Sequence, residues 1–433
     1  MATSLGMLIF SRVLQGFAGG GLQPSSQGVL LDTFPPEKQG AAQTMFSVAA
    51  LLAPVVGPTL GGYITDNYSW RWIFYLNLPV GLVALAFCRA VVFDPPYLKA
   101  ATAAARADRK PFDTPALFLL AITMVCWEVM LSKGQEWDWL GDPFYRIQTL
   151  LAGFVICGSL LIWRELRFSN PLINLHTLLD RNFRSCCLII FCAFGVLYAN
   201  TTSLPTLLQT LFGYDATTSG LVLSPSGLFA VIMLLIVGKL LLRGVDARWF
   251  IATGLFVLAL GNFWFSILNL DISPWQVVWP RVVVIVGLSM LFAPLNVAAF
   301  LKIPRELRPA AVGLLALLRN EGGSVGTSVA QTIQERREQF HLLRLNEYLD
   351  PLNPAVTHFL AGAQPTFLQQ TADPVAAQQL ALQTLDGLRQ QQASSLAYFD
   401  TFTVFAYLSF GLVFLAFIMR PSVAAKGAHV AAE

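Results

Sequence analysis

Residues 276–301 read QVVWPRVVVIVGLSMLFAPLNVAAFL, an apolar run whose only charge, Arg281, stands near its start. A hydrocarbon core ~30 Å thick takes about 20 apolar residues of helix at ~1.5 Å per residue, and this run has no polar face to offer to water. Working outward, runs of similar length divided by polar breaks predict eleven spans, at roughly 5–31, 41–63, 72–93, 114–131, 147–163, 185–208, 219–242, 249–269, 276–301, 310–333 and 398–419. The composition agrees. Of 433 residues, 55% are apolar and 12% charged, about half of the ~25% charge that a soluble domain needs on its surface. The fold expected is all-α, a polytopic membrane protein.

Lys and Arg in the connections set the orientation. One set of loops holds Lys38; Lys99, Arg106, Arg109 and Lys110; Arg164, Arg167, Arg181 and Arg184; Arg243 and Arg248; Lys302, Arg305 and Arg308; and finally Arg420 and Lys426. The opposite short loops offer little beyond Arg71, Lys133 and Arg146. The first set and the C-terminus are therefore expected in the cytoplasm of an inner-membrane protein, with the N-terminus starting outside. Segment 335–397, polar and Gln-rich, then faces outward, with apolar residues suited to short amphipathic helices. It reads either as a solvated flap or as a docking surface for a periplasmic partner.

The chain also resembles itself. At an offset of 269, Arg12 falls on Arg281, Pro35 on Pro304, Glu37 on Glu306, Ala41-Ala42 on Ala310-Ala311 and Val56-Gly57 on Val325-Gly326, with Pro24 and Pro294 one residue out of register. The first two spans thus match the ninth and tenth. An even shift keeps orientation, so the repeat is parallel, with halves related about the membrane normal. Three spans precede the second copy within its half and none precedes the first, so symmetry predicts a chain short of three N-terminal spans. The organisation expected is 1–93 as the remainder of an N-terminal half, 94–184 as an inserted pair of spans with linkers, 185–334 as five spans of the C-terminal half, 335–397 as an extracytoplasmic loop, and 398–433 as the last span and tail.

Within the second span, Ala53-Pro54-Val55-Val56-Gly57-Pro58-Thr59-Leu60-Gly61-Gly62 combines a helix-bending proline with Gly57 and Gly61 at small-xxx-small spacing, which admits a second helix closely. Ordinary close packing and a bent, leak-proof contact between the halves both fit this pattern. Charges inside spans are costly, ~2.5–3.5 kcal/mol on insertion scales, so each is informative. Arg12 lies within the first span and either faces a cavity or a partner, the favoured reading, or snorkels from an outer end to the interface, whereas Arg281, nearer a span end, is expected to snorkel. Arg319 and Glu321 fall mid-span in 310–333. Glu321 either titrates during transport or forms a static buried pair with an arginine; Glu128 and Asp32 sit at span ends and are expected to be wetted.

Gly57-Pro58-Thr59-Leu60-Gly61-Gly62 resembles the antiporter motif of the fifth span of major-facilitator drug/proton exporters, and Arg12-Val13-Leu14-Gln15-Gly16 resembles their fourth-span motif. Residues 61–81 and Leu204-Pro205-Thr206-Leu207-Leu208-Gln209, with Gly213-Tyr214 and Ser219-Gly220-Leu221, are similar to the EmrB/QacA branch with fourteen spans. The resemblance implies a major-facilitator-type bundle that exports small amphipathic molecules in exchange for protons by alternating access, often with a periplasmic adaptor protein. It makes Arg12 the proton-relay arginine, with Gln15 and Gly16 beside it, and Pro54, Gly57, Pro58, Gly61 and Gly62 the antiporter helix. The stretch from Gly238 to Arg248 is a degenerate counterpart of the family's Gly- and Arg-rich loop, or simply a basic inner loop.

Other functions lack their chemistry. Gly238-Lys239 misses the preceding glycine and the hydroxyl of a phosphate-binding loop. The four histidines, His176, His341, His358 and His429, are scattered without metal-ligand spacing, and the six cysteines lie in apolar runs as packing residues. No enzyme, cofactor, metal or nucleic-acid partner is expected. Two rival readings keep the fold: a shortened, non-transporting paralogue or regulatory membrane subunit, and an exporter of an endogenous metabolite or siderophore.

Overall fold

The computed structural model describes residues 4–34, 39–92, 113–168, 171–301, 303, 304 and 307–422, and among them it is helical without strands. The helices are α1 (Leu5–Gly19), α2 (Leu22–Thr33), α3 (Gln39–Asn67), α4 (Trp72–Tyr75), α5 (Asn77–Val91), α6 (Thr114–Lys133), α7 (Arg146–Arg167), α8 (Arg181–Thr210), α9 (Ala216–Leu223), α10 (Pro225–Leu242), α11 (Ala247–Ser266), α12 (Pro274–Phe300), α13 (Arg308–Asn346), α14 (Pro354–Thr371) and α15 (Pro374–Ile418). Their starts follow from local chemistry. Asp113, Asp180, Asp215 and Asp246 each accept a hydrogen bond from a backbone amide of the first turn of α6, α8, α9 and α11, which satisfies a donor that the helix itself leaves unpaired. Ser273 and Gln276 form a reciprocal capping box at α12. Gly19-Gly20-Gly21 divides the first predicted span into α1 and α2, and Ser224-Pro225 divides the seventh into α9 and α10.

Nine of the described helical stretches are long and apolar enough to cross a membrane. They match nine of the eleven predicted spans. The other two predicted spans fall on α3 and α13, continuous helices of 29 and 39 residues, of which α13 is the less apolar. Both carry polar residues on buried faces, a composition suited to packing against protein rather than lipid.

The densest packing involves α8, α10, α11, α12, α13 and α15. Phe183, Leu197, Leu204, Leu234, Ile251, Phe265 and Phe402 are fully buried there. Glycine permits the closest crossings. A Cβ on Gly287 would stand 2.5 Å from the Leu258 amide of α11, and one on Gly261 would stand 2.7 Å from Val284 of α12. Helices in a bilayer gain little from hydrophobic exclusion of one another, so close backbone approach and dispersion contacts hold them together. In contrast, α1, α4 and α5 bury no residue. The pair α6/α7 packs on itself and touches the bundle through α6 and α13.

Segment 335–397 differs from the short amphipathic helices expected. It comprises the last turns of α13, all of α14 and the first half of the 45-residue α15. Asp400 of α15 ties the extensions together, accepting from Arg337 at 2.5 Å and facing His341 Nε2 at 2.7 Å. Gln391 donates to the Leu211 carbonyl at 3.0 Å. Apolar Leu343, Tyr348, Leu352 and Val375 stay exposed on this crown.

One expectation is overturned here. Arg281 does not snorkel: only 2% of its surface is exposed, and its Nε and Nη1 have no hydrogen-bond partner. Nearness to a span end says how far a side chain must reach, but α12 is enclosed by α10 and α11, and that decides burial. Its repeat partner Arg12 is exposed on α1.

Candidate functional site

The N-terminal helices meet the rest of the molecule chiefly along a seam where α3 lies against α9 and α10, with further contacts of α3 on α12 and of α2 on α13. Small residues make the contact. A Cβ on Gly62 would overlap the Ala216 carbonyl; one on Gly220 would stand 2.5 Å from Thr59 Cα, and one on Gly238 would stand 2.6 Å from Thr44 Oγ1. Thr59 Oγ1 donates to the Gly220 carbonyl at 2.7 Å, and Asp66 accepts from the Thr217 amide and hydroxyl at 2.8 and 2.6 Å. The Gly57/Gly61 face expected to pack is not the contacting one, since nothing lies within 4 Å of a Cβ on either. The helix is rotated so that Pro58, Thr59 and Gly62 face α9. Gly62→Leu is expected to force α3 off α9 and remove most transport, while Gly61→Leu leaves it near wild type. Cysteine cross-linking between positions 59 and 220, alongside flux, checks this.

Toward α12 the seam becomes polar. Gln27 Nε2 donates to Asn296 Oδ1 at 3.1 Å and to Gln43 Oε1 at 3.4 Å, and all three residues are about 1% exposed. These buried amides are held by one another and, at Asn296, by the Phe292 carbonyl, because hydrocarbon offers no partner. Asn296 also lines a small cavity of about 10 Å³ with Phe194, Phe292 and Arg319. Arg319 is 3% exposed, lies 5.0 Å from the Phe194 ring centre, and leaves Nε and Nη1 without hydrogen-bond partners.

A second cavity of about 470 Å³ opens between α6, α8 and α13, lined by Glu128, Tyr198, Asn320, Ser324 and Thr327 among others. Ser324 donates to Glu128 at 2.8 Å and Ser328 to the Leu131 carbonyl at 2.8 Å, joining α13 to α6. Glu321 is half-buried beside Trp127 and Glu128, with its Oε2 buried and unpartnered. It forms no ion pair with Arg319; none of the ion pairs among the described residues includes Arg12, Arg281, Arg319 or Glu321.

The predicted site residues therefore fall into separate groups. Arg12 Nη1 bonds Gln15 Oε1 at 3.0 Å and stands 5.6 Å from the Phe74 ring, on the exposed face of α1 beside Gly16. Arg319 and Glu321 share α13 but face different neighbours, Arg319 the small cavity and Glu321 the side chains of Trp127 and Glu128. The side chain of Pro54 lies outside the described residues, as does that of Asp32. Sequence reasoning missed Gln27, Gln43 and Asn296, although amides inside apolar runs are a legible signal. It also missed that the Gly238–Arg248 loop is a latch: Asp246 accepts from Arg248 and from the Ser422 amide at 3.1 Å, while Arg248 donates to the Met419 carbonyl at 3.1 Å. Burial pushes the Asp246 carboxyl up, but the Arg248 and amide hydrogen bonds outweigh it and hold the carboxyl below its ordinary range. Among the described residues, no group of His, Cys, Asp and Glu is placed to hold a metal ion.

This arrangement of seam and buried charge has named counterparts. Residues 1–327 match the family model described as Major Facilitator Superfamily. The multidrug export protein EmrB of Escherichia coli K12 is 34% identical over 391 residues, 89% of this chain and 73% of that protein. EmrB of Haemophilus influenzae is 32% identical over 83% of this chain and 68% of its own length. The probable multidrug resistance protein EmrY of E. coli K12 is 31% identical over 82% of this chain and 67% of its own length. The chain is a multi-pass membrane protein that belongs to the major facilitator superfamily, among relatives of the multidrug exporters.

Proposed function

We propose that this protein exports small amphipathic molecules in exchange for protons by alternating access. The observation that carries the reading is the α3–α9/α10 seam. Its contacts are backbone against backbone with a few hydroxyl and carboxylate bonds, and a polar patch lies beside it. Such an interface can part and reclose without breaking a hydrophobic core, as rocking of one half against the other requires. In-membrane charges on α13 supply groups whose cost in hydrocarbon is justified only by a partner, a cavity or a cargo. The export relatives support the same class of cargo.

On this reading the protein sits in the inner membrane with its C-terminus in the cytoplasm, as the loop charges favour. Arg12, Gln15 and Gly16 take part in coupling with Arg319 and Glu321, and the Pro54–Gly62 helix seals the two sides. The crown formed by the ends of α13, α14 and α15, with its exposed Leu343, Leu352 and Val375, is the surface offered to a periplasmic adaptor. The test is flux. Acid-loaded proteoliposomes holding the protein are expected to accumulate ethidium or naphthalene-1-acetate as protons leave, and a protonophore is expected to abolish the uptake. Uptake of either probe that ignores the pH gradient would remove proton antiport from the reading.

A further inference from the structure

We infer that α6, the first helix of the inserted pair, walls an aqueous half-channel along α13 that gives Glu128 and Glu321 access to the outer side. The pattern on α13 is the starting point. Asn320, Ser324, Thr327 and Gln331 recur at steps of four, three and four, which keeps them on one face of a helix. All four line the cleft of about 470 Å³ between α6, α8 and α13. Gln334, Glu338 and His341 continue the same steps beyond it. Glu321 and Gln331 are ten residues apart, ~15 Å along the helix and about half of a ~30 Å hydrocarbon core. The stripe therefore covers the distance from mid-membrane to the outer surface.

The walls decide what fills the cleft. Asn320 and Gln331 are exposed on a membrane-spanning helix, and lipid tails offer an amide no partner. Glu128, Ser132 and Ser328 add polar groups, while Leu131 and Tyr198 supply the apolar surface. Cargo pockets are mostly apolar; a roomy, polar space holds water. Helix α6 keeps lipid out of it. Ser324 Oγ donates to Glu128 Oε1 and Ser328 Oγ to the Leu131 carbonyl, each at 2.8 Å, and these bonds dock α6 beside the stripe. Glu128 stands level with Ser324, nearly one turn closer to the outside than Glu321. No ion pair among the described residues includes either acid, so water from the cleft is what exchanges protons with them.

Above the cleft the stripe is bridged to its neighbours. Gln334 Nε2 donates to Ser203 Oγ of α8 at 2.8 Å, and Ser394 of α15 donates to Glu338. His341 Nε2 lies 2.7 Å from Asp400 Oδ2, which also accepts from Arg337. The charged and titratable groups at this mouth are thus Arg337, Glu338 and His341 of α13 with Asp400 and Tyr398 of α15, and α8 presents the hydroxyls of Ser203 and Thr210. A proton from outer water passes this cluster, crosses Gln334 on water, and reaches Glu128 and then Glu321.

The inference rests on the proton-exchange reading for its purpose, but access can be measured without flux. With the full chain in membrane vesicles, a membrane-impermeant methanethiosulfonate is added on the crown side. Thr327→Cys, Gln331→Cys and, on α6, Ser132→Cys are expected to react at least about tenfold faster than Val329→Cys, because a thiol reacts as the ionised form that water supports. Val329 is also exposed, but about 200° around the helix from Gln331. Mass spectrometry of the labelled peptides separates these thiols from the native cysteines. In proteoliposomes, Gln334→Leu is expected to slow pH-driven ethidium uptake about ten- to a hundredfold. Gln334→Glu, which can pass a proton, is expected to restore most of it, whereas a packing role would favour the leucine. Equal labelling at all four positions, or uptake unaffected by Gln334→Leu, overturns the proposal. Labelling as expected in a protein without pH-driven uptake would sink proton exchange and keep the half-channel; pH-driven uptake without the labelling would do the reverse.

Discussion

Gly326→Val is expected to abolish a stable, monodisperse protein, the largest effect of any single substitution considered for this chain. Helices α8 and α13 cross where Gly195 and Gly326 face each other without side chains between them. A Cβ on Gly326 would overlap the oxygen, Cα and carbonyl carbon of Gly195, and a Cβ on Gly322, one turn away, would overlap the Phe191 carbonyl. These are backbone atoms, so no rotamer change relieves the clash; the helices must separate. Ordinary overpacking costs ~1–3 kcal/mol because neighbours give way. Here the cost reaches or passes that range, and the separation also strips dispersion contacts from Ile189, Leu197 and Leu315, all fully buried nearby in the same cluster. Gly313→Ala is the control: it lies on the same helix, with nothing within 4 Å of a Cβ. Size-exclusion profiles and thermal unfolding in detergent check both. Gly326→Val unfolding at the wild-type temperature would mean that α8 and α13 do not cross at these glycines.

That crossing also shows how far the repeat could be read. Offset 269 pairs Gly326 with Gly57, and both lie on helices of similar character. Gly326 meets α8; among the described residues no helix stands in that relation to Gly57, whose surroundings are open. Residue types survive along the chain axis, while the partner that gives them meaning is a matter of three dimensions. The helices themselves were legible because an apolar run about a bilayer long has one stable conformation in lipid. Their rotation was not. One residue of helix is 100°, so taking Gly57 and Gly61 rather than Gly62 as the contacting positions missed which face of the antiporter helix meets α9. Arg281 failed for a related reason, since a position near a span end carries no information about the helices around it. The crown failed through composition: Gln-rich stretches such as Gln390-Gln391-Gln392 read as solvated connection, yet glutamine is a good helix former, and α15 continues through them into the membrane.

The seam and the two α13 cavities bring together elements distant in sequence. Thr59 meets Gly220, Gln27 meets Asn296, and Ser324 meets Glu128. Two cavities flank α13, a small one lined by Arg319 and a larger one lined by Glu128.

Glu321→Gln is accordingly expected to uncouple the protein: pH-driven accumulation of a naphthyl probe in proteoliposomes falls more than about tenfold, while exchange of probe at equal pH on both sides persists. A charged acid at the centre of a span costs ~2.5–3.5 kcal/mol, and a static ion pair is the usual way of meeting that cost. Glu321 has no such pair among the described residues, and Arg319, the nearest basic residue along the helix, turns away from it. What stands beside it instead is Trp127 and a second carboxylate, Glu128, which itself lines the cleft of about 470 Å³ with Asn320 and Ser324. A carboxyl with one oxygen buried and unpartnered, beside a second carboxylate that lines an open cleft, can exchange a proton as the cleft changes exposure. Glutamine keeps the shape and the hydrogen-bonding capacity and removes only that exchange. Glu128→Gln separates the two acids: Glu128 is already held by Ser324, so its loss is expected to loosen α6 from α13 and lower flux severalfold without erasing the dependence on pH. Proton release recorded with a pH dye alongside probe uptake reads the ratio directly. An unchanged proton-to-probe ratio in Glu321→Gln would return Glu321 to a packing role and leave the coupling to Arg12 and the exposed face of α1.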